Sequence, residues 1–122
     1  MPLLLENKSD QEIELMKNWA KVRAYMELHF EKKPDIQGFL FLIGVNEKGE
    51  IREYEKEEKQ DLMHLGMCKL LEDEYFKYDY TDADGWDHYT EIQPLPPMFI
   101  KMQETFLKEK IVQYFQKYIF ED

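Results

Sequence analysis

Two hydrophobic periods alternate along the chain, and each change of period marks an element. Leu15, Trp19, Val22 and Met26 follow one another at +4, +3 and +4, the spacing of one helical face. Ile13, Met16 and Ala20 widen that stripe, while Glu14, Lys17, Lys21 and Glu31 fall elsewhere on the helix. Ser9 or Asp10 can cap its start, because a short side-chain oxygen accepts from the free amides of the first turn. Pro34 disfavours helical geometry at Lys33, so the pattern predicts a helix over 10–31. His29 sits just beyond Met26 and reads as a histidine at a helix end, where the dipole favours it.

The run Phe39-Leu40-Phe41-Leu42-Ile43, flanked by Gly38 and Gly44, supports two readings. As a strand it pairs through 46–49 with 51–55, where Ile51, Glu53 and Glu55 oppose Arg52 and Tyr54. As a helix it is capped by Asp35, ended by Gly49 and buried over 36–45. Each interior glycine costs a helix about 1 kcal/mol, but Pro34-Asp35 is a good start signal. The helix is favoured. Residues 50–61 form a charge run that reads as a solvated loop, and from Glu57 to about Asp73 Leu62, Leu65, Met67, Leu70 and Leu71 predict a third helix. Gly66 within it suggests close approach by another element.

At Tyr75 the period becomes two. Residues 75–80 and 86–92 alternate around Asp82-Ala83-Asp84-Gly85, which suits a type I turn with Gly85 in the left-handed position. Phe76, Tyr78 and Tyr80 are expected on one face, with Trp86, His88, Thr90 and Ile92 forming a face of the partner strand. Pro94, Pro96 and Pro97 interrupt regular structure, and a last helix is predicted from Met98 to about Phe120. Ile100, Leu107, Ile111, Phe115 and Tyr118 make one of its faces; Phe99, Met102 and Phe106 make a second. That surface is wider than one packing seam needs, so the helix is either central or partly covered by another subunit. The expected fold is mainly α: about four helices, with one β-hairpin between the third and fourth.

Composition narrows the function. The 122 residues are 43% hydrophobic and 15% aromatic, enough for the core of a single domain over 1–122, with residues 1–8 loosely attached. Lys and Arg total 16 against 26 Asp and Glu, a net charge of −10. Such a chain repels phosphate backbones, and Lys32-Lys33 is its only adjacent basic pair, so nucleic acid and anionic membrane are excluded as partners. A protein partner or a homo-oligomer remains, and an acidic decoy presenting carboxylates to a basic partner is a variant of it. The lone Cys68 cannot form an intrachain disulfide and fits a reducing, cytoplasmic setting. No apolar stretch is long enough to span a bilayer, and Met1-Pro2-Leu3-Leu4-Leu5 is too short for a signal peptide.

Phosphate-binding glycine loops, the nucleophile elbow and the zinc-protease helix motif are all absent, and no cofactor is implied. The sharpest chemical candidate is Asp61, His64 and Cys68, whose +3 and +4 spacing puts carboxylate, imidazole and thiol on one helical face. With His88 or Asp87 as a fourth ligand they could bind a transition metal, or His64 could activate Cys68 as a nucleophile. The bland reading keeps Cys68 as a small apolar residue. Asp82-x-Asp84-Gly85-x-Asp87 faintly suggests a calcium loop, but its twelfth position is Gln93, and the hairpin turn is the better account. The aromatic cluster Tyr75, Phe76, Tyr78, Tyr80, Trp86 and Tyr89 offers large rigid contact area. A two-stranded sheet can have only one face fully covered, so Tyr78, Tyr80, Trp86 and Tyr89 are candidates for an interaction surface.

Three stretches together carry a resemblance: Pro34-Asp35-Ile36-Gln37-Gly38-Phe39-Leu40-Phe41-Leu42-Ile43-Gly44, Lys56-Glu57-Glu58-Lys59-Gln60-Asp61-Leu62-Met63-His64, and Asp84-Gly85-Trp86-Asp87-His88-Tyr89. They are similar to a family of small hypothetical bacterial proteins with no assigned activity. The resemblance covers about residues 34–115; it implies a bacterial cytosolic protein and transfers no catalytic residue. The expected function is a non-catalytic interaction domain that self-associates or binds a protein partner. The alternative is a small metal-binding or thiol-dependent enzyme using Asp61, His64 and Cys68.

Overall fold

A computed structural model describes residues 9–30, 34–50 and 52–120. The expectation for residues 1–8 lies outside these. Among the described residues the chain forms helices α1 (Asp10–Phe30), α2 (Ile36–Lys48), α3 (Lys56–Leu70) and α4 (Ile100–Tyr114). Strands β1 (Phe76–Thr81) and β2 (Asp87–Glu91) make an antiparallel hairpin between α3 and α4. The chain divides into two compact units, one of residues 1–34 with 101–122, the other of residues 35–100.

In the first unit α1 starts as its sequence indicates. The Ser9 hydroxyl accepts from the Glu12 amide at 3.1 Å and donates to the Glu12 carboxylate. Val22 and Met26 from the expected stripe are buried, as are Ile111, Val112, Tyr114 and Phe115 of the C-terminal helical segment. Tyr25 meets Phe115 and Phe120 edge to face at 5.8 and 5.6 Å, and His29 lies 4.2 Å from the Tyr25 ring. The last helix does not stay α-helical to its end. After Tyr114 it widens into a π-helical turn over Phe115–Ile119, closed by the Phe120 amide donating to the Phe115 carbonyl at 2.6 Å. Of its second predicted face, Phe99 and Met102 are exposed, Phe99 by 82%.

The second unit is built on α2 against α3. The ambiguous apolar run is a helix: the Asp35 carboxylate accepts from the Gly38 amide at 2.8 Å, and Gly49 ends the helix in the left-handed region at φ 75°. A Cβ on Gly44 would fall on the Leu62 carbonyl group, and one on Gly66 on that of Leu40. The two helices therefore touch backbone to backbone, which only glycine permits at these positions. The close approach read at Gly66 is present, and Gly44 is a second point of it.

The charge run is less solvated than its composition suggests. Tyr54 is buried within it and clusters with Leu62 and Leu65, with Phe41, Val45, Trp86 and Tyr89 packed around them. The Arg52 guanidinium lies 4.2 Å from the Tyr54 ring centroid and 2.8 Å from the Glu58 carboxylate. Because Glu58 also accepts from the Glu55 amide at 3.0 Å, α3 opens at Lys56, one residue before the predicted start at Glu57. It closes at Leu70, short of the predicted end, in a turn where Asp73 takes a positive φ of 72°.

Candidate functional site

The hairpin turn has the expected form. The Asp82 amide donates to the Trp86 carbonyl, the Gly85 amide donates to the Asp82 carbonyl, and Gly85 sits at φ 85°. One carboxylate oxygen of Asp82 accepts from the amides of Asp84 and Trp86 at 2.9 and 3.0 Å, so the turn is wound around this side chain. The other accepts from His88 Nε2 at 2.9 Å. These donors hold the Asp82 carboxyl below the usual carboxylate range, His88 contributing most.

A β-bulge then changes which rings share a face. Tyr78 pairs with Tyr89 and Tyr80 with His88, so β1 spends two residues where β2 spends one. The expectation that Phe76, Tyr78 and Tyr80 share one face is corrected accordingly. Tyr80 stacks flat on His88 at 4.5 Å. Tyr78 meets Tyr89 edge to face at 5.9 Å and donates its phenolic hydrogen to Thr81, which donates onward to Asp87.

The four candidate contact residues divide in the same way. Tyr78 and Tyr80 are 47% and 52% exposed. Trp86 and Tyr89 are half-buried against the Tyr54–Leu62–Leu65 cluster. Sequence reasoning missed the residues that fasten the hairpin down. Lys48, its side chain only 5% exposed, donates to the Asp84 carbonyl at 2.7 Å and lies 4.9 Å from the Trp86 ring centroid. Its position in the last turn of α2, one residue before the terminating glycine, was the available signal. Glu72 accepts from the Tyr89 hydroxyl at 3.1 Å and pairs with Lys69 at 3.2 Å. Burial and the nearby Glu72 carboxylate raise the Tyr89 phenol well above its ordinary range.

Between α3 and the hairpin lies a cleft of about 380 Å³. Asp61, His64, Leu65 and Cys68 line it from the helix; Asp82, Trp86, Asp87, His88 and Tyr89 line it from the hairpin. The structure thus brings Asp61, His64, Cys68 and His88 to one depression. Cys68 Sγ and His64 Nε2 are 3.5 Å apart, and Phe76 packs edge-on against the His64 ring. Yet the thiol is 1% exposed, and burial pushes it up to about 11. At neutral pH it is held as the thiol, while nucleophilic and metal-binding chemistry both need the thiolate. Among the described residues no group of three or more His, Cys, Asp or Glu side chains is placed to hold a metal ion.

Charge is unevenly divided along the chain. Residues 35–100 carry sixteen acidic and six basic side chains, which accounts for the whole net charge of −10; the rest of the chain carries ten of each. Residues 72–91 alone hold eight acidic side chains and one lysine. Among the described residues no helix is long and apolar enough to cross a membrane. No protein-family model, no curated protein and no solved structure matches this chain.

Proposed function

We propose that this chain is a non-catalytic protein-interaction domain that self-associates or binds a protein partner through the aromatic hairpin. One observation carries the reading: Tyr78 and Tyr80 stand half in solvent on a hairpin whose Trp86 and Tyr89 are half-buried against the core cluster. Rigid, half-exposed tyrosines give large contact area at low entropic cost. Anchoring by Lys48 and Glu72 means that little order has to be created on binding. The resemblance noted above supports a bacterial cytoplasmic setting for this role, and a lone reduced Cys68 is consistent with it.

The test is the double variant Tyr78→Ser, Tyr80→Ser, compared with the native chain by native mass spectrometry of complexes isolated from its host. Contact aromatics of this kind are worth more than about 1 kcal/mol each, so association should weaken at least tenfold. Far-UV circular dichroism should be unchanged, because both rings are half exposed. If the variant keeps the native assembly mass and the same bound partner, the hairpin is not the contact surface. Trp86 is the wrong residue for this test, since its loss would unsettle the core.

A further inference from the structure

We infer that the cleft between α3 and the hairpin receives a basic side chain, an arginine or lysine from a cationic segment of a partner protein. This deepens the reading of the hairpin as a protein-contact surface and rests on it. Three features of the cleft point the same way. Its hairpin wall is aromatic, from Trp86 and Tyr89, and its helix wall is apolar at Leu65 and Cys68. Asp61 lines it from the helix and Asp82 and Asp87 from the hairpin, Asp82 already accepting from two amides and His88 and Asp87 from Thr81. Acidic residues thus border the space on both sides. An aliphatic stem ending in a cation matches that combination: the stem lies along apolar and aromatic surface while the charged head meets carboxylate and ring face.

The charge around the cleft is also left largely unanswered within the unit. Residues 76–91 carry Asp79, Asp82, Asp84, Asp87 and Glu91 against the single Lys77. Among the described residues no lysine or arginine is ion-paired with any of those carboxylates; Asp82 is hydrogen-bonded to His88. Lys48 reaches the turn but takes the Asp84 carbonyl. A second copy of this chain would bring a surface of the same sign, whereas a cationic segment brings the complement. His64 and His88 do not obstruct this, because the first is turned to Cys68 and Phe76 and the second is stacked on Tyr80 and bonded to Asp82.

The experiment titrates the native chain into a fluorescein-labelled octa-arginine peptide, with octa-lysine and octa-glutamate peptides as controls, and reads anisotropy at several salt concentrations. Saturable binding of the cationic peptides is expected, weakening as salt rises, with none for octa-glutamate. The double variant Asp61→Asn, Asp87→Asn should weaken it at least tenfold, while Glu53→Gln, Glu57→Gln, outside the cleft, should leave it within twofold. Circular dichroism of both variants checks the fold. If both variants weaken binding equally, the attraction is diffuse and the cleft assignment is overturned. If cationic peptides do not bind while Tyr78→Ser, Tyr80→Ser still abolishes association, this inference fails and the hairpin reading survives. If that variant also changes nothing, both fail.

Discussion

Replacing Gly44 with alanine adds one methyl group at the point where α2 and α3 touch. The added carbon lands on the Leu62 carbonyl group and 3.1 Å from the Leu62 Cα, where carbon atoms prefer about 3.5–4.0 Å. The obstacle is backbone, so the strain cannot be relieved by rotating a side chain. The helices must part by on the order of 1 Å, a gap that forfeits roughly a quarter to a half of each contact's attraction. Phe39, Leu40, Ile43, Leu62 and Leu65 are buried on these helices, and burying each contributes about 2 kcal/mol. A quarter of that sum is about 2.5 kcal/mol, offset by up to about 1 kcal/mol because alanine is the better helix former. The expected net destabilisation is about 1.5–2.5 kcal/mol, within the range seen for overpacked cores. Urea denaturation followed at 222 nm should show a midpoint lower by about 1 M, for a slope of about 1–3 kcal/mol/M. Gly66→Ala should behave alike, and the double variant should fall short of additivity because both act on one seam. Gly44→Ala as stable as the native protein, or more so, would refute the backbone contact.

Three further outcomes follow from the same geometry. Glu58 is held at about 2, below its ordinary 4.5, by the Arg52 guanidinium first and the Glu55 amide second. Its folded value lies below its unfolded one, so its contribution is present above pH about 4.5 and lost as pH falls toward 2; Glu58→Gln should flatten that part of an acid-denaturation curve. The Cys68 thiol, pushed up to about 11 by burial, should label with iodoacetamide at pH 7.5 far more slowly than free cysteine and reach full rate in urea; prompt native labelling would revive the thiol-enzyme alternative. Lys48→Met keeps the stem but loses the charged bond to the Asp84 carbonyl, about 1.5–3 kcal/mol, and should speed hydrogen exchange at the Trp86 and Gly85 amides before that of α3.

Most of the fold was legible because its signals are local. Spacing at Leu15, Trp19, Val22 and Met26 gives α1, Asp35 and Gly49 bracket α2, and Asp82 through Gly85 defines the turn. What was not legible depends on residues far apart in sequence. Nothing near Tyr54 says that its ring is needed at Leu62 and Leu65, so a run of charges around it reads as solvent-exposed. The bulge beyond Tyr78 is invisible to an alternating pattern, which assumes an unbroken period of two. It decides that Tyr80 joins His88 and not Tyr78. Lys48 looks like any surface lysine until the hairpin folds back on the end of α2, thirty-six residues away from Asp84.

The candidate site shows the same division between composition and placement. Asp61, His64 and Cys68 were found by helical spacing, and spacing does bring them to one cleft. Spacing carries no information about desolvation, and desolvation decides what Cys68 can do: a thiol at 1% exposure packs as an apolar group beside Leu65. Net charge has the same weakness. A value of −10 for the chain suggests an acidic surface everywhere, whereas every unit of that excess belongs to residues 35–100 and most of it to the hairpin and the turn before it. In the proposed interaction, charge concentrated on an aromatic hairpin would select partners in a way that the same charge spread evenly would not, because attraction then falls where shape can discriminate. The hairpin therefore carries the functional reading, and the Asp61–His64–Cys68 face contributes a wall of its cleft.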